Sequence, residues 1–173
     1  MQKHIKLPHI DAFGYYQFLT FRTNDSVDAY VSKLLDNNDL KNSHKQYKVD
    51  EYLDNSQNGA YLNGIALEYI YDFIKMQNNV LYELISFVVM PNHVHILFKQ
   101  MQPIAKTIKV LKAKSAKDIN VLLKKSGKFW ASGYYDKVIR DEEHFTKVYN
   151  YIQNNAQKAG LNEDRFYSIY ERS

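Results

Sequence analysis

At 173 residues, 45% of them apolar, and with a net charge of +4, the chain is long enough to bury a core as a single domain over residues 1–173. It contains no cysteine, which excludes disulfides, thiolate metal sites and cysteine nucleophiles. The N-terminal MQKHIKLPHIDAFGYY lacks the apolar stretch of a signal peptide and no run reaches membrane-span length, so a soluble, cytoplasmic protein with no membrane partner is expected.

Residues 14–22, GYYQFLTFR, alternate and are rich in aromatics, which predicts a first strand. Residues 24–60 are polar; a short helix is expected around Val27 to Leu35, with the rest an irregular connection. Leu62, Ile65, Ala66, Tyr69, Ile70 and Phe73 recur at helical spacing and predict a helix from about Tyr61 to Gln77. VVMPNHVHILF, residues 88–98, reads as a hairpin: Glu83 to Met90 up, Pro91-Asn92 across, His93 to Lys99 back. Pro103 opens a lysine-studded helix, IAKTIKVLKAK, and Ser115 is expected to cap a second, AKDINVLLKK. GYYDKVIR, residues 133–140, predicts another strand. Asp141 can cap the last helix and Gly160 end it. Its apolar stripe is Phe145, Val148, Tyr149, Ile152 and Ala156. These elements make an α+β layer fold.

Two constellations carry chemistry. His93 and His95 are two residues apart in a strand, so they share a face and suit a metal site, while Val94, Ile96 and Phe98 face a core. A bare H-x-H also occurs as two ordinary histidines, and both lie near the turn, so their loss is expected to spare the fold. On the last helix Tyr151, Asn155 and Lys158 lie together off the apolar stripe, whereas Tyr149 lies in it. A tyrosine hydroxyl, with a pKa of about 10, attacks a phosphodiester when a metal polarises the phosphoryl oxygen. Two imidazoles and an amide oxygen suit an octahedral divalent ion, Mg²⁺ or Mn²⁺.

Charge is unevenly placed. Nine lysines between Lys99 and Lys128 face one acid, Asp118, giving this segment +8 against −4 elsewhere. A phosphate backbone selects such an excess, and so does a solvated helix face. Lys106, Lys109 and Lys112, with Arg140 and Lys158, are the candidate DNA contacts.

FVVMPNHVHILF, GKFWASGYYDKVIRDEEHF and YIQNNAQKAGL together resemble the HUH single-tyrosine transposases of insertion sequences, in particular the REP-associated tyrosine transposases. The resemblance spans about Gly14 to Leu161 and implies a ferredoxin-like antiparallel sheet with helices. It implies that His93 and His95 bind the metal and that Asn155 is a third ligand. Tyr151 becomes the nucleophile that cuts single-stranded DNA to leave a 5′-phosphotyrosine and a free 3′-hydroxyl. The partner it implies is single-stranded DNA with imperfect palindromes that fold into hairpins, with the protein nucleoid-associated when bound. Insertion-sequence members act as homodimers and REP-associated members can be monomeric, so both states stay open. Asn155-Ala156 departs from the family's usual Asn-Pro, and a changed helix end is expected there. Two other readings remain: a domesticated nucleic-acid-binding protein with little turnover, and an unrelated H-x-H hydrolase that would need further ligands, for which Asp136 is the one acid in a recognisable motif.

Overall fold

The computed structural model describes residues 16–170. Gly14 and Tyr15, the start of the first expected strand, lie outside the described residues. That strand, β1, is Tyr16–Arg22. A helix α1, Ala29–Leu35, follows, capped by Asp28. A second helix, α2 (Asn42–Asp54), occupies ground expected to be irregular. It is held by a small cluster of its own, in which Val49 and Leu53 pack on Val31. Next come α3 (Gly64–Met76) and the hairpin of β2 (Tyr82–Val89) and β3 (His93–Gln100). Met90 N–H donates to His93 C=O at 2.8 Å across the Pro91-Asn92 turn, as the sequence predicts.

The lysine-rich region is one helix, α4 (Ile104–Leu123), not two. Ser115 is buried inside it rather than capping a new one. Its hydroxyl donates to Leu111 C=O one turn earlier in the same helix and accepts from Trp130 Nε1 at 2.9 Å. After β4 (Tyr135–Val138), α5 runs over Glu142–Lys158. Asp141 caps it, accepting from His144 N–H at 2.8 Å. At its end Leu161 N–H reaches Ala156 C=O and Gly160 N–H reaches Gln157 C=O, with Gly160 at φ +71°. This pair of bonds satisfies the last carbonyls and needs the left-handed conformation that glycine adopts freely. Ala156 therefore lets the helix continue to Lys158, where a proline would have disturbed the preceding turn. A short β5 (Phe166–Ser168) is an addition that its three residues did not signal.

The five strands form one antiparallel sheet in the order β4-β1-β3-β2-β5. The first four, linked by α3 and α4, give the ferredoxin-like β-α-β-β-α-β arrangement. Strand alternation divides the core. Leu19, Phe21, Val94, Ile96 and Phe98 face α3 and α4, with Ile70, Ile108 and Leu111. Phe18, Val88 and Leu97 face α5, with Val148, Ile152 and Ala156. His93 and His95 alternate with Val94 and Ile96, so they lie on the α5 side. Among the described residues no helix is long and apolar enough to cross a membrane.

Candidate active site

Both imidazoles are fully buried, 0% exposed. This corrects the expectation that a place near the turn leaves them outside the core: α2 and α5 close over them. His93 Nδ1 lies 2.7 Å from Asn92 Oδ1. The orientation of Asn92 is set by its other end, since Nδ2 donates to Leu53 C=O at 3.0 Å and Ser56 C=O at 3.3 Å. An amide facing two carbonyls with its nitrogen must offer its oxygen to the histidine. Nδ1 of His93 therefore carries the proton, and Nε2 keeps its lone pair, an assignment that follows from the hydrogen-bond network. His95 Nδ1 meets Thr20 Oγ1 at 2.7 Å, from the residue directly opposite on β1. Burial pushes the His93 pKa down to about 3 and that of His95 well below its usual value, with the Arg22 charge adding to both. Both rings are neutral at physiological pH.

Their Nε2 atoms are buried without a hydrogen-bond partner. His95 Nε2 is 3.7 Å from Asp50 Oδ2, and His93 Nε2 is 3.8 Å from Asp54 Oδ1, both beyond hydrogen-bonding range. Donor atoms of Asp50, His93 and His95 all lie within 4.8 Å of one another. Ligands bonded at about 2.1 Å to one ion stand about 3–4 Å apart, so small side-chain shifts would bring all three onto a cation. Asn155 is also buried, 2% exposed; its amide lies against Tyr151 and acts to lower that hydroxyl's pKa, yet neither Oδ1 nor Nδ2 makes a well-formed hydrogen bond. Leaving that many buried polar atoms unsatisfied is costly. A divalent ion would satisfy the two histidine nitrogens, and the neutral imidazoles and the Asp50 carboxylate are the donors it needs.

Asp50 ties the two histidines to α5. Its Oδ2 accepts from Tyr151 Oη at 2.6 Å, and its Oδ1 accepts from Gln46 Nε2 at 2.6 Å. Gln46 in turn accepts from Arg22 Nη2 at 2.8 Å. Burial raises the Asp50 pKa to about 7 against the opposing pull of the Tyr151 bond and the Arg22 charge. Burial likewise raises Asp54 to about 6, opposed by Lys158. Tyr151 is held fully protonated, by burial first and by the Asp50 charge second. Its ring sits 5.3 Å from that of His95. Tyr149 points elsewhere, sharing a 2.7 Å hydrogen bond with Ser168 Oγ on β5.

The structure thus brings His93, His95, Tyr151 and the buried Asn155 to one side of the sheet, and adds Asp50, Asp54, Gln46, Asn92 and Arg22. Lys158 reaches the Tyr47 ring at 5.3 Å, beside this group. Arg140 is exposed where two surface hollows meet. Lys106 and Lys109 belong to α4, on the opposite face of the sheet. Lys112 is occupied structurally, donating to Ala131 C=O at 2.8 Å, and burial lowers its pKa to about 8. Asp136 sits on β4 opposite Leu19, outside the Asp50–His93–His95 group. Gln46, Asp50 and Asp54 repeat every four residues beside the Val49–Leu53 pair, a pattern that signals a helix with one polar inward face.

Residues 58–155 match the family model described as "Transposase IS200 like". A solved REP-associated tyrosine transposase bound to a REP hairpin is similar in fold, with TM-score 0.50 and 15% identity, covering 92% of this chain and 76% of that one. A candidate transposase of Deinococcus radiodurans R1 has TM-score 0.48 and 18% identity, covering 87% of this chain and 98% of the other. No curated protein matches the sequence. The matched residues 58–155 include both histidines, Tyr151 and Asn155, but begin after α2 and so leave Asp50 out.

Proposed function

The chain belongs to the IS200-like transposase family, whose members cut and join DNA, and from that premise we propose that it cleaves and rejoins single-stranded DNA through Tyr151 with a divalent metal, Mg²⁺ or Mn²⁺. His93 Nε2, His95 Nε2 and an oxygen of Asp50 would hold the ion, with the Asn155 amide oxygen as a further donor. Bound there, the ion supplies Lewis-acid polarisation of a phosphoryl oxygen. The protein supplies the rest. Asn92 fixes His93 with its Nε2 lone pair turned inward, and Thr20 Oγ1 holds His95 Nδ1 so that its Nε2 faces the same space. Asp50 Oδ2 accepts the hydrogen of Tyr151 Oη, so it marks both the direction of the nucleophile and the place its proton goes. As Oη bonds to phosphorus the bond to the 3′-oxygen breaks, leaving a 5′-phosphotyrosine and a 3′-hydroxyl protonated from water. Rejoining is the reverse attack by a 3′-hydroxyl.

The observation that carries this reading is the meeting of two unpartnered, buried Nε2 atoms with a tyrosine hydroxyl bonded to Asp50. The similar REP-associated protein was solved on a hairpin, which makes imperfect palindromes the substrates to try first. The test incubates the protein and Mn²⁺ with single-stranded oligonucleotides from the flanks of its own gene, then resolves covalent adducts on denaturing gels. A metal-dependent adduct mapped to Tyr151 and absent from Tyr151→Phe is expected. An adduct that survives in Tyr151→Phe, or that forms equally in EDTA, would refute the assignment.

A further inference from the structure

A groove of about 690 Å³ runs between α2 and the edge strand β4. It shares Ser43, Gln46, Tyr135, Lys137 and Arg140 with a second hollow, of about 470 Å³, whose lining includes Asp50 and Tyr151. The two hollows therefore form one path along the sheet edge that leads to the nucleophile.

The path is cationic. Lys41, Lys45, Lys128, Lys137 and Arg140 line the groove, where Asp136 is the one acid. The inner hollow adds Lys147, which pairs with Glu143 at 3.2 Å, and the acid Asp50. Arg22 lines the groove too, is only 8% exposed, and has an Nε with no hydrogen-bond partner. Its Nη2 is taken by Gln46, so one N–H of a buried, charged guanidinium is left for an anion. The N-terminus of α2 opens at the same place, preceded by Lys41 and without a side-chain cap, so its first N–H groups are also unused by any cap. Flat aromatic surface is present as well: Tyr134 is 40% exposed in the groove and Tyr47 is 51% exposed in the inner hollow.

Phosphate-binding cations interleaved with exposed aromatic rings along a groove are what single-stranded nucleic acid requires, because every base offers a face for stacking. We propose that the single strand flanking the cut site lies in this α2–β4 groove, its phosphates against Lys41, Lys45, Lys128 and Arg140 and its bases on Tyr134. This rests on the strand-cleaving role of Tyr151 proposed above. It places the strand on the side of the sheet edge nearest the site and away from Lys106 and Lys109. Because α2 precedes the matched residues 58–155, this wall of the groove is supplied by a segment outside the family match.

The probe is a fluorescein-labelled oligo(dT) of about 12 nucleotides, within the usual span of single-strand sites. Its binding is followed by anisotropy in EDTA over a range of salt. The double variant Lys41→Gln/Arg140→Gln should bind about 10-fold more weakly at low salt. Its salt slope should fall by about 1.4, because each phosphate left unneutralised removes about 0.7. Lys106→Gln/Lys109→Gln should bind within about 2-fold of the parent. Unchanged Mn²⁺ affinity in both variants confirms an intact site. Parent-like binding by the groove variant, or an equal loss in the α4 variant, would overturn the proposal. Groove-dependent binding by a parent that forms no Tyr151 adduct would support the groove while refuting the nucleophile, so the two claims fail separately.

Discussion

Replacing Asp50 by asparagine separates what this carboxylate does for the site from what it does to the fold. Its pKa is raised from 3.8 to about 7 by burial. A raised value in an acid means that the folded protein keeps a proton the unfolded chain has already released. Metal-free stability therefore falls as pH climbs from about 4 to about 7, and the whole deficit is present above 7. Three pKa units at about 1.4 kcal/mol each give about 4 kcal/mol. Asparagine has the same shape and no charge, but loses one acceptor for Tyr151 or Gln46, which costs about 1 kcal/mol. Metal-free Asp50→Asn should thus be about 3 kcal/mol more stable than the parent at pH 8, a rise in Tm of about 6–12 °C for a chain of this size. The advantage should be gone at pH 4. With Asp50 in its proposed ligand role, Mn²⁺ should reverse the order, because the parent would bind it more tightly and gain stability by linkage. Thermal unfolding in EDTA and in Mn²⁺ across this pH range measures all three. An asparagine variant less stable than the parent at pH 8 in EDTA, or a difference that ignores pH, would refute the reasoning.

Asn92→Ala should weaken Mn²⁺ binding about 10- to 100-fold by calorimetry, since His93 loses the acceptor that fixes its tautomer; unchanged affinity would mean that packing alone orients the ring. Tyr149→Phe should keep its adduct and lose about 1 kcal/mol with the Ser168 hydrogen bond; loss of the adduct would move the nucleophile. Gly59→Ala should destabilise by about 2 kcal/mol or more. Gly59 sits at φ +64°, and a Cβ there would stand 2.3 Å from Thr23 Oγ1 and 2.6 Å from Ser26 N. Denaturant titration that places this variant level with the parent would contradict that clash.

Much of the architecture was legible because it is local. The alternation in MPNHVHILF sets a hairpin and assigns His93 and His95 to the face opposite Val94 and Ile96. The 3.6-residue stripe of α5 separates Tyr149 from Tyr151, and Asp141 and Gly160 mark its ends. Ser115 misled because serine caps helices and also sits inside them. Only the Trp130 indole, fifteen positions away, decides which role it takes here. α2 was missed for a related reason. Its inward face mixes Gln46, Asp50 and Asp54 with only Val49 and Leu53, so the hydrophobic period that announces a helix is faint. What holds those residues inward is the site itself: the Tyr151 hydroxyl and the Arg22 charge, from α5 and β1, beside the imidazoles of β3. The basic stretch shows the same limit in reverse. Composition located the lysines of α4, but which face of the sheet α4 covers depends on the apolar side chains of α3, β1 and β3 that it packs against. Sequence periodicity determines which way a side chain points within its own element. The partner it meets there is set by the packing of elements distant in the chain, and both the Asp50 carboxylate and the α2–β4 groove exist only through that packing.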